Sequence, residues 1–199
     1  MRQKIHVICL FVLSLTLAGV VASALEARQQ QQQVGYAGEE RREIKSLSTE
    51  EIEQLLQGQG MGLAKAAELN HYPGPRHVLE LSGQMELTPE QSTATQAAFE
   101  RMREEAVRLG RQIVERERAL DAMFAKSEID AGKLRAATSE IAQLQGSLRA
   151  AHLAAHLEMR RILSPAQIKK YDELRGYDGG AGKQTPAKPS PHDHKHGKH

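Results

Sequence analysis

Leu87-Thr88-Pro89-Glu90-Gln91 and Leu163-Ser164-Pro165-Ala166-Gln167 are two copies of one pattern, Leu-[Ser/Thr]-Pro-x-Gln. Each position has a mechanical reason at a helix start. The hydroxyls of Thr88 and Ser164 accept a backbone N–H that the first turn leaves without a partner. Pro89 and Pro165 fit the first helical position, where a missing N–H costs nothing. Gln91 and Gln167 reach back to the N–H of the cap residue itself, and Leu163 is placed to staple onto Ile168.

Between the two starts the pattern is helical throughout. From Pro89 no obvious stop occurs before Ser127, and Phe99, Met102, Ala106, Leu109, Ile113, Leu120, Met123 and Phe124 recur at three- and four-residue steps. Charged residues such as Arg103, Glu104, Arg111, Glu115, Glu117 and Arg118 fill the other face. Ser127-Glu128-Ile129-Asp130 marks a turn, with Ser127 or Asp130 as cap of a second long helix. There Leu134, Ile141, Leu148, Ala155 and Ile162 recur every seven residues, with Leu144 and Ala151 at the partner positions. Two long helices and a tight turn predict an all-α fold built on an antiparallel hairpin with a coiled-coil-like seam. The second motif opens a final helix that ends near Arg175-Gly176.

Upstream, Leu47-Ser48-Thr49-Glu50-Glu51 reads as another capped helix start, with Leu47 stapling on Ile52 and Gly58 and Gly60 ending the helix. Met61 to Leu69 reads as a short helical stretch, broken by Asn70 to Pro75, and Arg76 to Met85 as another. The expected organisation is a signal peptide over 1–24, a flexible polar leader over 25–46 and a short-helix extension over 47–86. The hairpin domain follows over 87–176, then a disordered tail over 177–199. The signal reading rests on basic Arg2 and Lys4, the apolar run from Ile5 to Val21, and the small-x-small triplet Ala22-Ser23-Ala24, with cleavage after Ala24.

Composition narrows the function. The only cysteine, Cys9, lies in the signal segment, so the mature chain has no thiol chemistry and no disulfide. Cleavage removes two of the 27 basic residues and none of the 25 acidic ones, so the mature charges balance, which argues against nucleic-acid binding. No second apolar run is long enough to insert in a membrane. There is no Trp, and aromatic residues are 4 % of the chain, so a deep aromatic pocket is not expected. No nucleophile–base set or phosphate loop occurs, and Gly58, Gly60 and Gly62 lack the strand of a dinucleotide site. We expect no enzyme and no required cofactor.

Two Leu-[Ser/Thr]-Pro-x-Gln copies flanking a helical hairpin in an exported chain resemble the Spy/CpxP family, named for its LTxxQ motif. The likeness covers roughly residues 85–176 and includes Leu148-Arg149-Ala150-Ala151-His152-Leu153. Related periplasmic metal-resistance and metal-sensing proteins share the hairpin. The resemblance implies a cradle-shaped homodimer in the periplasm. It implies one of three roles: an ATP-independent chaperone for unfolded envelope proteins, an adaptor restraining a sensor kinase, or a binder of zinc, nickel or cobalt. We take the chaperone role as the leading expectation and a metal-binding resistance or sensor role as its alternative.

For the alternative, candidate ligands are explicit. His152 and His156, four apart, share one helix face where both imidazoles reach one ion. Glu158 and Met159 lie nearby. His192, His194, His196 and His199 form an interleaved tract suited to zinc, copper or nickel. His71 and His77 flank the proline turn and read as structural. The motif residues themselves read as caps and staples.

Overall fold

The computed structural model describes residues 36–177, and within them the chain is helical with no strand. The signal segment, the first part of the leader and the four tail histidines lie outside the described residues. Six helices follow in order: α1 Thr49–Leu56, α2 Lys65–Glu68, α3 Pro75–Glu80, α4 Pro89–Ala125, α5 Ala131–Ile162 and α6 Pro165–Arg175. A single 3-10 turn, Glu39–Arg41, precedes them.

The hairpin is α4 and α5, 37 and 32 residues long, or about 55 and 48 Å at helical rise. Of the two candidate caps for α5, Asp130 does the capping: its Oδ1 accepts the Lys133 N–H at 2.8 Å. Ser127 instead adopts a left-handed conformation, φ 57°, and ends α4. Ile141, Leu148 and Ala155 are buried in the seam, as the heptad predicts. Leu134, in the first turn of α5, is 39 % exposed.

The extension is a structural part of the bundle. α1 lies across α4, and the crossing is possible because residue 110 is glycine: a Cβ there would stand 2.1 Å from the Leu55 carbonyl oxygen. Gly58, φ 65°, closes α1, with its N–H on Leu55 O and the Gln59 N–H on Gln54 O. Two apolar clusters result. One joins Ile44 and Leu55 to Ala106, Leu109, Ile113, Val114 and Leu148. The other joins Val78 and Met85 to Ala98, Met159, Leu163, Ile168 and Tyr171. The chain's own extension therefore covers part of the hairpin's apolar surface.

Three expected boundaries change. The polar leader does not run to residue 46: Ile44 is fully buried, while Glu43, Lys45 and Ser46 pair with Arg118, Asp121 and Glu117 along α4. One apolar residue among charges carries no periodic signal, yet burying it contributes about 2 kcal/mol. The 61–69 helix shrinks to Lys65–Glu68, because Met61 and Gly62 take positive φ. The Arg76–Met85 helix is Pro75–Glu80, and Glu86, φ 53°, turns the chain into the first motif.

The motifs cap as read, and they also meet. Gln91 Oε1 accepts the Thr88 N–H at 3.1 Å, and Gln167 Oε1 accepts the Ser164 N–H at 2.9 Å. Each oxygen also accepts the other glutamine's amide N–H at 2.9 Å. The second amide hydrogens reach Ile162 O from Gln91, and Met85 O and Glu86 O from Gln167. Leu163 is buried and Leu87 half-buried against the second cluster. Pro89 and Pro165 occupy the first helical positions on the surface.

Candidate metal centre

α5 presents His152 and His156 to a cleft of about 520 Å³ roofed by the extension. Both rings are buried, at 4 % and 9 % exposure, in a sequence otherwise rich in solvated charge. The cleft is also lined by Glu68 from α2, Gly74 from the proline turn, Met102 from α4 and Arg175 from α6.

The tautomer of His156 follows from its partner. Its Nδ1 lies 2.7 Å from the Tyr72 carbonyl oxygen, which only accepts, so Nδ1 carries the proton and Nε2 keeps a free lone pair. A backbone carbonyl orienting one ring nitrogen is how ligating imidazoles are usually held. His152 Nε2 is buried without a hydrogen-bond partner. Burial, reinforced by the neighbouring His156, pushes the His152 pKa below its ordinary value, so the ring is neutral at neutral pH and ready to donate electrons.

Glu68 is divided between two tasks. Its Oε1 accepts the Tyr171 and Tyr177 hydroxyls at 2.5 and 3.1 Å, with Arg175 Nε at 3.5 Å. Its Oε2 has no hydrogen-bond partner and lies 3.8 Å from His156 Nδ1. Gly74 permits this approach: a Cβ there would lie 3.0 Å from His156 Cε1 and 3.4 Å from Glu68 Oε2. Burial first, then the Glu68 carboxylate, hold the Tyr171 phenol well above the ordinary tyrosine range.

The other candidates fall elsewhere. Glu158 pairs with Arg101 on α4 at 2.7 Å, and Met159 is fully buried in the second cluster. His71 pairs with buried Asp172 at 2.9 Å and His77 with Glu80 at 2.9 Å, both in structural roles. The sequence reading missed Glu68, Gly74, Tyr171 and Tyr177. Glu68 stands in the mostly apolar Met61–Leu69 stretch, where an acid is conspicuous only if that stretch is known to be buried.

The donor chemistry fits a borderline divalent ion: two imidazoles and a carboxylate oxygen suit zinc, nickel, cobalt or copper better than calcium. Among the described residues, however, no three His, Cys, Asp or Glu side chains close around one point. Nor is any described helix long and apolar enough to cross a membrane.

Residues 62–170 match the family described as heavy-metal resistance, a span that contains the cleft's Glu68, Gly74, His152 and His156. No curated protein and no solved structure matches the chain.

Proposed function

The chain belongs to the heavy-metal-resistance family, which groups with the Spy/CpxP-like periplasmic helical proteins, and from that premise we propose that it is a periplasmic metal-binding protein. Its candidate ligands for one zinc, nickel, cobalt or copper ion are His152 and His156, with the Glu68 carboxylate lining the same cleft. The observation that carries this reading is the pair of buried polar atoms without hydrogen-bond partners at the cleft, His152 Nε2 and Glu68 Oε2. Leaving such groups unpaired costs about 1–3 kcal/mol each, a cost that binding a cation reverses. The Tyr72 carbonyl sets the His156 ring, and Tyr171, Tyr177 and Arg175 hold the carboxylate so that one oxygen stays free. The bound ion would supply charge to bind and nothing to turn over.

The test is a calorimetric titration with each metal of a chain in which the four tail histidines are alanine. One ion per chain, lost on His152→Ala with His156→Ala, supports the reading. No binding by the four-alanine chain rejects it.

The chaperone role is the second reading. It is favoured by Phe124 and Leu134 at the hairpin tip, 54 % and 39 % exposed. Suppressed aggregation of a denatured protein without ATP, weakened by Phe124→Ser with Leu134→Ser, supports it. Unchanged aggregation at equimolar chain rejects it.

A further inference from the structure

The histidine cleft is short of donors, and its walls are cationic. A zinc-type site takes about four donors, yet among the described residues no three His, Cys, Asp or Glu side chains close around one point. Lys65, Arg76, Arg103 and Arg175 line the cleft against a single carboxylate, Glu68. We propose that the cleft takes its metal ion together with a small chelating carboxylate anion, which Lys65, Arg103 and Arg175 bind and which supplies the missing donors. This rests on the metal reading above and adds to it the chemical class of a co-ligand.

The chain neutralises only part of this positive charge. Arg76 is paired with Glu80 at 3.1 Å. Arg175 shares Glu68, its Nε standing 3.5 Å from Oε1. Lys65 on α2 and Arg103 on α4 are exposed, and neither side chain has a hydrogen bond or ion pair among the described residues. A cleft lined by one sign of charge focuses its field and concentrates ions of the opposite sign. It opposes a bare dication and draws an anion. A chelating carboxylate meets both demands, because it offers one pair of oxygens to a metal and another to a guanidinium fork.

The unpartnered buried atoms of the cleft also come in two kinds. Glu68 Oε2 can only accept when ionised, and so calls for a cation. Arg175 Nε can only donate, and so calls for an anion. A metal ion alone leaves the second without a partner, and an anion alone leaves the first. Space for both is present: the cleft holds about 520 Å³, and a Cβ at Gly60 or Gly62 on its wall would meet nothing within 4 Å.

Oxalate is the probe, with acetate as the anion that cannot chelate. The protein is the full mature chain with the four tail histidines changed to alanine. Calorimetry measures oxalate binding to this chain with and without one equivalent of zinc, and the visible spectrum of bound cobalt reports whether the anion joins the metal. We expect one oxalate per zinc-loaded chain, held at least tenfold more tightly than by the metal-free chain. We also expect the cobalt bands to shift with oxalate and not with acetate. Lys65→Gln with Arg103→Gln should weaken oxalate binding at least tenfold. The same variant should hold zinc no more weakly in oxalate-free buffer, since there it removes only repulsion. Zinc binding with oxalate affinity unchanged by the double variant would overturn the anion proposal and leave the metal reading standing. So would one equivalent of oxalate stripping the zinc from the chain. Zinc affinity that rises with protein concentration in oxalate-free buffer would assign the missing donors to a second copy, and the anion proposal would fall. No zinc binding with or without oxalate would overturn both readings.

Discussion

Gln91 and Gln167 exchange two side-chain amide hydrogen bonds of 2.9 Å, each across the start of the other's helix. The orientation of both amides is fixed, because Thr88 N–H and Ser164 N–H are donors and must face an oxygen. The paired motif is therefore a clasp between α4 and α6 as well as two caps.

The clasp makes the two glutamines interdependent. Gln91→Ala and Gln167→Ala should each cost about 1–3 kcal/mol, since each removes several half-buried hydrogen bonds. The double variant should cost less than the sum, by about 1 kcal/mol. Denaturant unfolding of the four members of the cycle measures this; strict additivity would mean that the amides act as separate caps.

Gly110 is where α1 meets α4. Gly110→Ala sets a methyl against the Leu55 carbonyl, a clash that backbone must move to relieve. We expect a loss of about 3 kcal/mol or more, with amide exchange rising over residues 49–58 while the α4–α5 seam stays protected. Unchanged exchange in α1 would mean that the crossing is looser than the geometry states.

Ile44 tests the corrected end of the leader. Ile44→Ala should destabilise by about 2–5 kcal/mol, the usual range for a fully buried side chain. A neutral result in thermal unfolding would return residues 36–46 to the role of a leader.

Tyr171 and Tyr177 give the metal-free protein a pH signature. Burial first, then the Glu68 carboxylate among the causes, raise both phenols. A raised pKa means the folded state holds its proton more tightly than the unfolded state. Its contribution to stability is full below about pH 10 and is lost as pH rises above that value. Phenolate absorbance should therefore show both rings protonated past pH 10 until the protein unfolds. Glu68→Gln should bring the two ionisations part of the way down, since burial remains. Ordinary ionisation of all tyrosines in the folded chain would show that the Glu68 cluster is open to water.

Much of the architecture is legible in the sequence because it rests on local rules. Caps at Ser48, Thr88 and Ser164, the proline starts and the seven-residue step of Ile141, Leu148 and Ala155 are all short-range signals. Features set by non-local packing were not legible. Ile44 has no periodic partner, and Gly110 looks like an ordinary helix glycine until α1 is laid across it. The histidine pair was visible from its spacing, but its burial was not. Glu68 reaches it from a four-residue helix 84 positions upstream of His152. That the two motif glutamines touch could not be read from either copy alone.

The most direct test of the central claim is the ring-nitrogen spectrum of the histidines in the full mature chain as zinc is added. We expect Nε2 of His152 and of His156 to shift together, saturating at one equivalent, while His156 Nδ1 keeps its proton on the Tyr72 carbonyl. Ring signals of His152 and His156 that stay fixed at saturation, with only the tail histidines responding, would contradict it.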